Sequence, residues 1–253
     1  MRRLERLAVF PLRDHNPTEI VPIFTVLIAG VTVVAWWFLQ GAGLSEEQLY
    51  ASVCTLGVVP ADVTGADVSG RPALCDVRSL GVPALFTSMF LHGSWGHLIG
   101  NLWFLWVFGN NIEDSMGHLR FVAFYLLTGL AAAVAQVVMV PSSPVPMVGA
   151  SGAISGIMGA YLVLYPAVRI DTWIGFWIVQ VPAWLMLGYW MLLQLTGVLG
   201  PAAVGGGVAY GAHLGGFIAG LVLIPIFRNE KLVDAKQRGV VLPRSELDHG
   251  GWW

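Results

Sequence analysis

A serine, two histidines and an asparagine stand in the apolar stretches of this 253-residue chain where nucleophilic chemistry could be assembled. Ser151 lies in GASGAISGIMGA (149–160), which packs four glycines and two serines into twelve positions. A serine hydroxyl attacks an amide carbonyl only when a base stands within hydrogen-bond reach. His213 is of the type to take that proton and return it to a leaving amine. His97 and Asn101, at i and i+4, project from one face of a helix. With the backbone N–H of Ser151 they could meet the charge that develops on a carbonyl oxygen. Taken singly, each has an ordinary reading: Ser151 as a packing residue, His213 as a helix-bonded or ion-path histidine, His97 as an interfacial residue, Asn101 as a tie between helices. What joins them is the set of elements that would carry them.

Those elements sit in a membrane. The chain is 56% hydrophobic and 11% charged, with mean hydropathy +0.72, against roughly 25% charged residues in soluble domains. Basic residues do not alternate with aromatics, which excludes nucleic acid as a partner. Apolar runs predict an all-α membrane protein, a six-transmembrane-helix bundle with spans at about Ile20–Gln40, His97–Ile112, Phe121–Val140, Ser151–Tyr165, Trp173–Thr196 and Val208–Phe227. No internal repeat or linker divides it. Residues 1–19 are read as a cytoplasmic segment, 20–227 as one membrane domain with a long first external loop at about 41–95, and 228–253 as a cytoplasmic tail. The first run follows Arg2, Arg3, Arg6 and Arg13 and reads as an uncleaved anchor, while Glu5, Asp14 and Glu19 argue against an organelle transit peptide. With both termini inside, eleven of the thirteen Lys and Arg are cytoplasmic and only Arg71 and Arg78 fall outside, as the positive-inside rule requires.

The external loop holds the only two cysteines, Cys54 and Cys75. They could form a disulfide in an oxidising compartment, and two cysteines alone do not make a metal site. The apolar segment Val82–Leu91 is expected partly in the outer leaflet. On a rise of 1.5 Å per residue, Ser151 and His213 both stand roughly 21 Å above the cytoplasmic edge, His97 roughly 24 Å and Asn101 roughly 18 Å. Three helices thus bring four polar groups to one layer of a roughly 30 Å core. Ser151 opens the short fourth helix, whose buried start places free N–H groups and the positive end of the dipole at that depth. None of the six runs contains Asp, Glu, Lys or Arg. Glu113, Asp114 and Asp171 lie at the cytoplasmic end, so the layer predicts a Ser–His dyad rather than a triad. Gly152, Gly156 and Ala160 face a second small-residue row, Ala212, Gly216 and Gly220, and such rows let backbones approach closely. Gly149 belongs to the descent PMVGASG. Ser155, one turn inward from Ser151, is read as a packing or hydrogen-bonding residue, His92 as structural, and Glu113 and Asn111 as bonding loop backbone. Trp173, Phe176, Trp177, Trp184, Tyr189 and Trp190 are read as mostly facing lipid or the interface belts.

Taken together, HGSWGHLIGN (92–101), GNNIEDSMG (109–117), GASGAISG (149–156) and AHLGGFIAG (212–220) resemble, in order and spacing, the rhomboid family of intramembrane serine proteases. The resemblance implies that Ser151 is the nucleophile, His213 its general base, and His97 and Asn101 oxyanion donors. It also implies lateral substrate entry between the second and fifth helices. Many members carry an aromatic residue four after the nucleophile, stacked on the catalytic histidine. Ser155 stands there in this chain, which leaves open how the His213 ring is held. Pro83 and Ala84 occupy the region where some bacterial members carry a Trp-Arg pair. The expected partners are transmembrane protein substrates and the lipid bilayer. No cofactor or metal is expected, since neither an HExxH motif nor a P-loop is present. The expected location is a bacterial plasma membrane. Two other classes fit less well. A catalytically silent rhomboid-like adaptor would be expected to lose the serine or the histidine. A channel would continue the polar layer inward, where LWFLWVF and IMGAYLVLY close the route.

Overall fold

The computed structural model describes residues 9–66, 75, 77–200 and 207–238. Arg2, Arg3, Glu5, Arg6, Arg71, Arg244 and the closing residues of the tail lie outside them. The chain runs β1 (Val9–Asp14), α1 (Ile23–Phe38), α2 (Glu46–Leu56), α3 (Pro60–Thr64), α4 (Ala84–Thr87), α5 (Trp95–Phe104), α6 (Asn110–Met116), α7 (His118–Met139), α8 (Ser151–Leu164), β2 (Arg169–Ile174), β3 (Trp177–Pro182), α9 (Ala183–Leu199), α10 (Tyr210–Phe227) and α11 (Glu230–Arg238). α7, with 22 residues, and α10, with 18, are each long and apolar enough to cross a membrane. α1, α8 and α9 are shorter apolar helices. α5 and α6 are joined through a π-helical stretch, Leu105–Gly109.

The core is a triplet of α7, α8 and α10 packed at backbone distance. A Cβ on Gly216 would overlap the carbonyl oxygen of Gly152, and one on Gly220 that of Gly156. A Cβ on Gly152 would press on Ala132 of α7, and one on Gly156 would overlap Thr128. The two small-residue rows therefore lie against each other. α8 is buried along nearly its whole length, which fits a 14-residue helix wrapped by others rather than bathed in lipid. Outward faces are apolar instead, as on α1 where Val26, Leu27, Val34 and Trp37 are exposed.

Two expectations need correction. The chain is mostly helical, but not all-α: β1, β2 and β3 form an antiparallel sheet in that order. The fifth apolar run also does not start its helix at Trp173. Residues 169–182 pair as the β2–β3 hairpin around Gly175, which adopts φ 61°, and the helix begins only after Pro182. TWIGFWIVQVP is rich in β-branched and aromatic residues, which favour a pleated surface. β1 supplies the partner, with Phe10 opposite Trp173 and Asp14 opposite Ile170. The sheet rests on α5, where Trp103 Nε1 donates to the Pro11 carbonyl at 2.7 Å and Phe10 packs its ring against Trp103 and Phe104.

The loop between α1 and α5 is folded. Gln40 makes two bonds with the backbone of His92, its Oε1 accepting at 2.8 Å and its Nε2 donating at 2.7 Å. Cys54 and Cys75 are disulfide-bonded, with Cα atoms 5.3 Å apart, inside the range such bridges need. In the segment read as lying in the outer leaflet, Ala84, Leu85, Ser88 and Met89 are buried in the protein.

A second polar cluster closes the end of the bundle opposite Ser151. The fully buried Glu113 carboxylate accepts from the N–H groups of Phe24 at 2.9 Å and Thr25 at 2.8 Å, from the Thr25 hydroxyl at 2.7 Å, and bonds His118 Nδ1 at 2.6 Å. It thereby satisfies the orphan N–H groups at the start of α1, whose first turn has no acidic residue of its own. Asn111, read as a partner for loop backbone, instead bonds side chains, donating to Asp14 at 2.6 Å and accepting from Lys236 at 2.8 Å. Lys236 also pairs with Asp114 at 2.7 Å.

Asp14 accepts from Tyr161 at 2.7 Å as well, yet burial pushes its carboxyl up from 3.8 to about 6. A raised acid is not penalised below pH 4, where both states are protonated. The penalty grows as the unfolded chain ionises and is complete above pH 6. Asp14→Asn, which can still accept both bonds, is therefore expected to raise thermal stability at pH 7.5 by about 1–3 kcal/mol and to change little at pH 4. Melting curves at the two pH values check this, and an equal effect at both would overturn it.

Candidate active site

The descent into α8 determines what Ser151 can reach. Gly149 has φ 133°, where residues with side chains are strained, and a Cβ there would lie 2.7 Å from His97 Nε2. Its N–H donates to the Ser88 carbonyl at 2.9 Å, pinning the approach. Ala150 is the N-cap and Ser151 the first helical residue. The Ser151 N–H is therefore among those with no partner inside the helix.

His213 lies in the first turn of α10, and the glycine contacts between α8 and α10 bring it to the serine. His213 Nε2 and Ser151 Oγ are 2.8 Å apart. The other ring nitrogen, Nδ1, is 2.7 Å from Gln194 Oε1 on α9. Trp190, one turn earlier on α9, lays its ring against the imidazole with centroids 5.7 Å apart and planes tilted by 38°. No acidic side chain is among these contacts to His213.

His97 and Asn101 line the same cavity as Ser151 and His213, a space of about 1450 Å³ that also touches Trp190, Gly149 and the connection 141–147. The Asn101 amide nitrogen bonds His92 Nε2 at 2.8 Å, so His92, fully buried, orients the asparagine. His97 is placed by its helix start, where Ser94 Oγ caps its N–H at 3.2 Å. Ser155 is fully buried and donates to the Ser151 carbonyl at 2.6 Å, as its reading at the helix interface anticipated.

The structure thus brings all four site residues read from the sequence to one cavity, and adds two. Gln194 was visible only as one polar residue in an apolar run. Trp190, read with the aromatics as mostly facing lipid, turns inward. The i, i+4 spacing of Trp190 and Gln194 was the available signal, but it does not say which face of α9 points to α10.

A family model described as the Rhomboid domain matches residues 81–230. Rhomboid-like protein 11, chloroplastic, of Arabidopsis thaliana is 30% identical over 148 residues, 54% of this chain and 50% of that protein. Rhomboid protease GluP of Bacillus subtilis (strain 168) is 41% identical over 78 residues, 31% of this chain and 15% of its own length. Rhomboid-like protease 5 of Toxoplasma gondii is 33% identical over 138 residues, 53% of this chain and 15% of that protein. The chain spans half or less of the length of these curated relatives. The matched domain runs from before His92 to beyond His213 and takes in more than half of the sequence, every residue of the site among them: the chain belongs to the rhomboid family of integral membrane proteins.

Proposed function

We propose that this chain is a six-span intramembrane serine endopeptidase that cleaves peptide bonds in or near the outer part of substrate transmembrane segments. The observation that carries the reading is the 2.8 Å contact between Ser151 Oγ and His213 Nε2 at the start of a buried helix. In this reading His213 accepts the Ser151 proton as the oxygen attacks the scissile carbonyl. The proton then goes to the leaving amine, and water hydrolyses the acyl-enzyme by the reverse sequence. The Ser151 N–H, His97 and the Asn101 amide would hold the oxyanion. An amide carries two N–H donors, so one remains to Asn101 beyond its bond to His92. The six spans are α1, α5 with α6, α7, α8, α9 and α10. In this reading both termini lie in the cytoplasm and the cavity opens to the outside of a bacterial inner membrane. Helical substrates must unwind locally to offer a free carbonyl, so Gly, Ser or Pro near the outer end of a span favours cleavage.

The test is labelling of the detergent-purified protein with a fluorophosphonate. Expected is labelling of wild type and Ser155→Ala, with none of Ser151→Ala or His213→Ala. Absence of labelling in folded wild type, together with no cleavage of a model transmembrane substrate, would overturn the reading in favour of a silent adaptor that binds transmembrane clients.

A further inference from the structure

A general base needs more than a nearby serine. Its other nitrogen must carry a proton, so that the nitrogen facing the serine presents a lone pair. Serine proteases commonly assign that task to a buried carboxylate. Among the described residues the hydrogen-bond partners of His213 are Gln194 and Ser151, neither of them a carboxylate, and the hydroxyl of Ser155 is turned back onto its own helix.

We infer that Gln194 is the positioning residue for His213, a neutral amide that holds the imidazole in its reactive tautomer and, with Trp190, in its reactive orientation. The inference rests on the protease reading above and deepens it. Its warrant is the direction of one chain of hydrogen bonds. Gln194 Nε2 donates to the Trp190 carbonyl at 3.4 Å, which turns Gln194 Oε1 toward His213 Nδ1 at 2.7 Å. An oxygen there can only accept, so Nδ1 carries the proton. Nε2 is then left as an acceptor for the Ser151 hydroxyl at 2.8 Å. Each link is consistent with the next in only this sense. With the amide flipped, its N–H groups would face Nδ1, the proton would sit on Nε2, and Ser151 would be an acceptor with no base. The flip would also set Oε1 against the Trp190 carbonyl oxygen, so the backbone of α9 selects the armed state. Gln194 is itself buried, and burial makes each bond in such a chain matter more.

The same helix supplies both supports one turn apart. Trp190 confines the ring plane from one face and Gln194 fixes its rotation about the Cβ–Cγ bond. A tryptophan from α9 therefore does what an aromatic residue at position 155 could have done from α8, and the glutamine adds a tautomer lock.

The test compares Gln194→Glu, which keeps an acceptor, with Gln194→Met, which removes it at similar volume. Both are read by rate of fluorophosphonate labelling, by the kcat and KM for a transmembrane substrate, and by 15N NMR of histidine-labelled protein, with His213→Ala identifying the resonance. Expected is a fall of about 10–100-fold in labelling rate and kcat for Gln194→Met at unchanged KM and melting temperature. The His213 ring should lose its Nδ1–H signature in that variant, and Gln194→Glu should stay within about tenfold of wild type. Wild-type labelling rate and an unchanged tautomer in Gln194→Met would overturn the inference while leaving the Ser151–His213 pair standing. Equal losses in both variants with the tautomer unchanged would likewise overturn it, reducing Gln194 to a packing residue. Failure of wild type to label at Ser151 would instead overturn the protease reading and remove the catalytic role with it.

Discussion

Alanine at Ser151 is expected to lower turnover of a transmembrane substrate by about 10⁴-fold or more, and alanine at His213 by a similar factor. The double variant should be no slower than either single one. On the proposed protease reading the two side chains act as a unit: a serine without its base and a base without its serine would leave the same residual machinery, the proposed oxyanion donors and the cavity. The 2.8 Å contact between Ser151 Oγ and His213 Nε2 is what supports treating them so. Neither substitution enlarges a side chain, so the melting temperature should stay close to that of wild type. Turnover measured in liposomes for the three variants checks this. Losses that multiply in the double variant, or more than about 1% residual activity in Ser151→Ala, would show that the two residues act independently or that another nucleophile serves.

The second large effect concerns the backbone seam between α8 and α10. Gly220→Val is expected to destabilise the protein by about 3 kcal/mol or more, because the added carbons would overlap the Gly156 carbonyl rather than a side chain able to move aside. The helices must part, and Gly156 is already closed in by Thr128 on the other side. His213 lies two turns from Gly220 on the same helix, so separation at the seam also stretches its contact with Ser151. A misplacement on the order of 1 Å costs roughly 10²-fold in rate. Gly30→Val, at an exposed glycine of α1 away from the cavity whose Cβ would meet nothing within 4 Å, serves as the control. Thermal unfolding in detergent and the labelling rate measure the two consequences separately. A Gly220→Val protein that melts and labels like wild type would show that the helices are not in backbone contact.

Much of the site could be read from residue spacing because its geometry is local. Helical periodicity alone puts His97 and Asn101 on one face. The glycines flanking Ser151 and His213 announce a close crossing, which the seam between α8 and α10 supplies. Gln194 and Trp190 were not legible in that way. Which face of α9 meets α10 depends on the rotation of one apolar helix about its own axis, and a helix with so few polar positions leaves that rotation open. The sheet escaped for a different reason. TWIGFWIVQVP is mostly apolar, with Thr172 and Gln180 as its polar positions, and a short apolar run reads equally as a buried strand or a helix. What decides between them is β1, distant in sequence and short. The partners of Asn111 were missed because Lys236 approaches from α11, beyond the last apolar run.

The same β1 pairing sets an order on how the protein is made. His15, just past the strand, bonds Asp171 of β2 across 156 residues of chain. At synthesis rates of 5–20 residues per second, roughly 8–30 s pass between the emergence of the two. During that interval β1 has left the ribosome without its strand partner, and α1 to α8 are all made before β2 arrives. The strand is therefore among the last pieces of its neighbourhood to settle, although it precedes its partners in the chain.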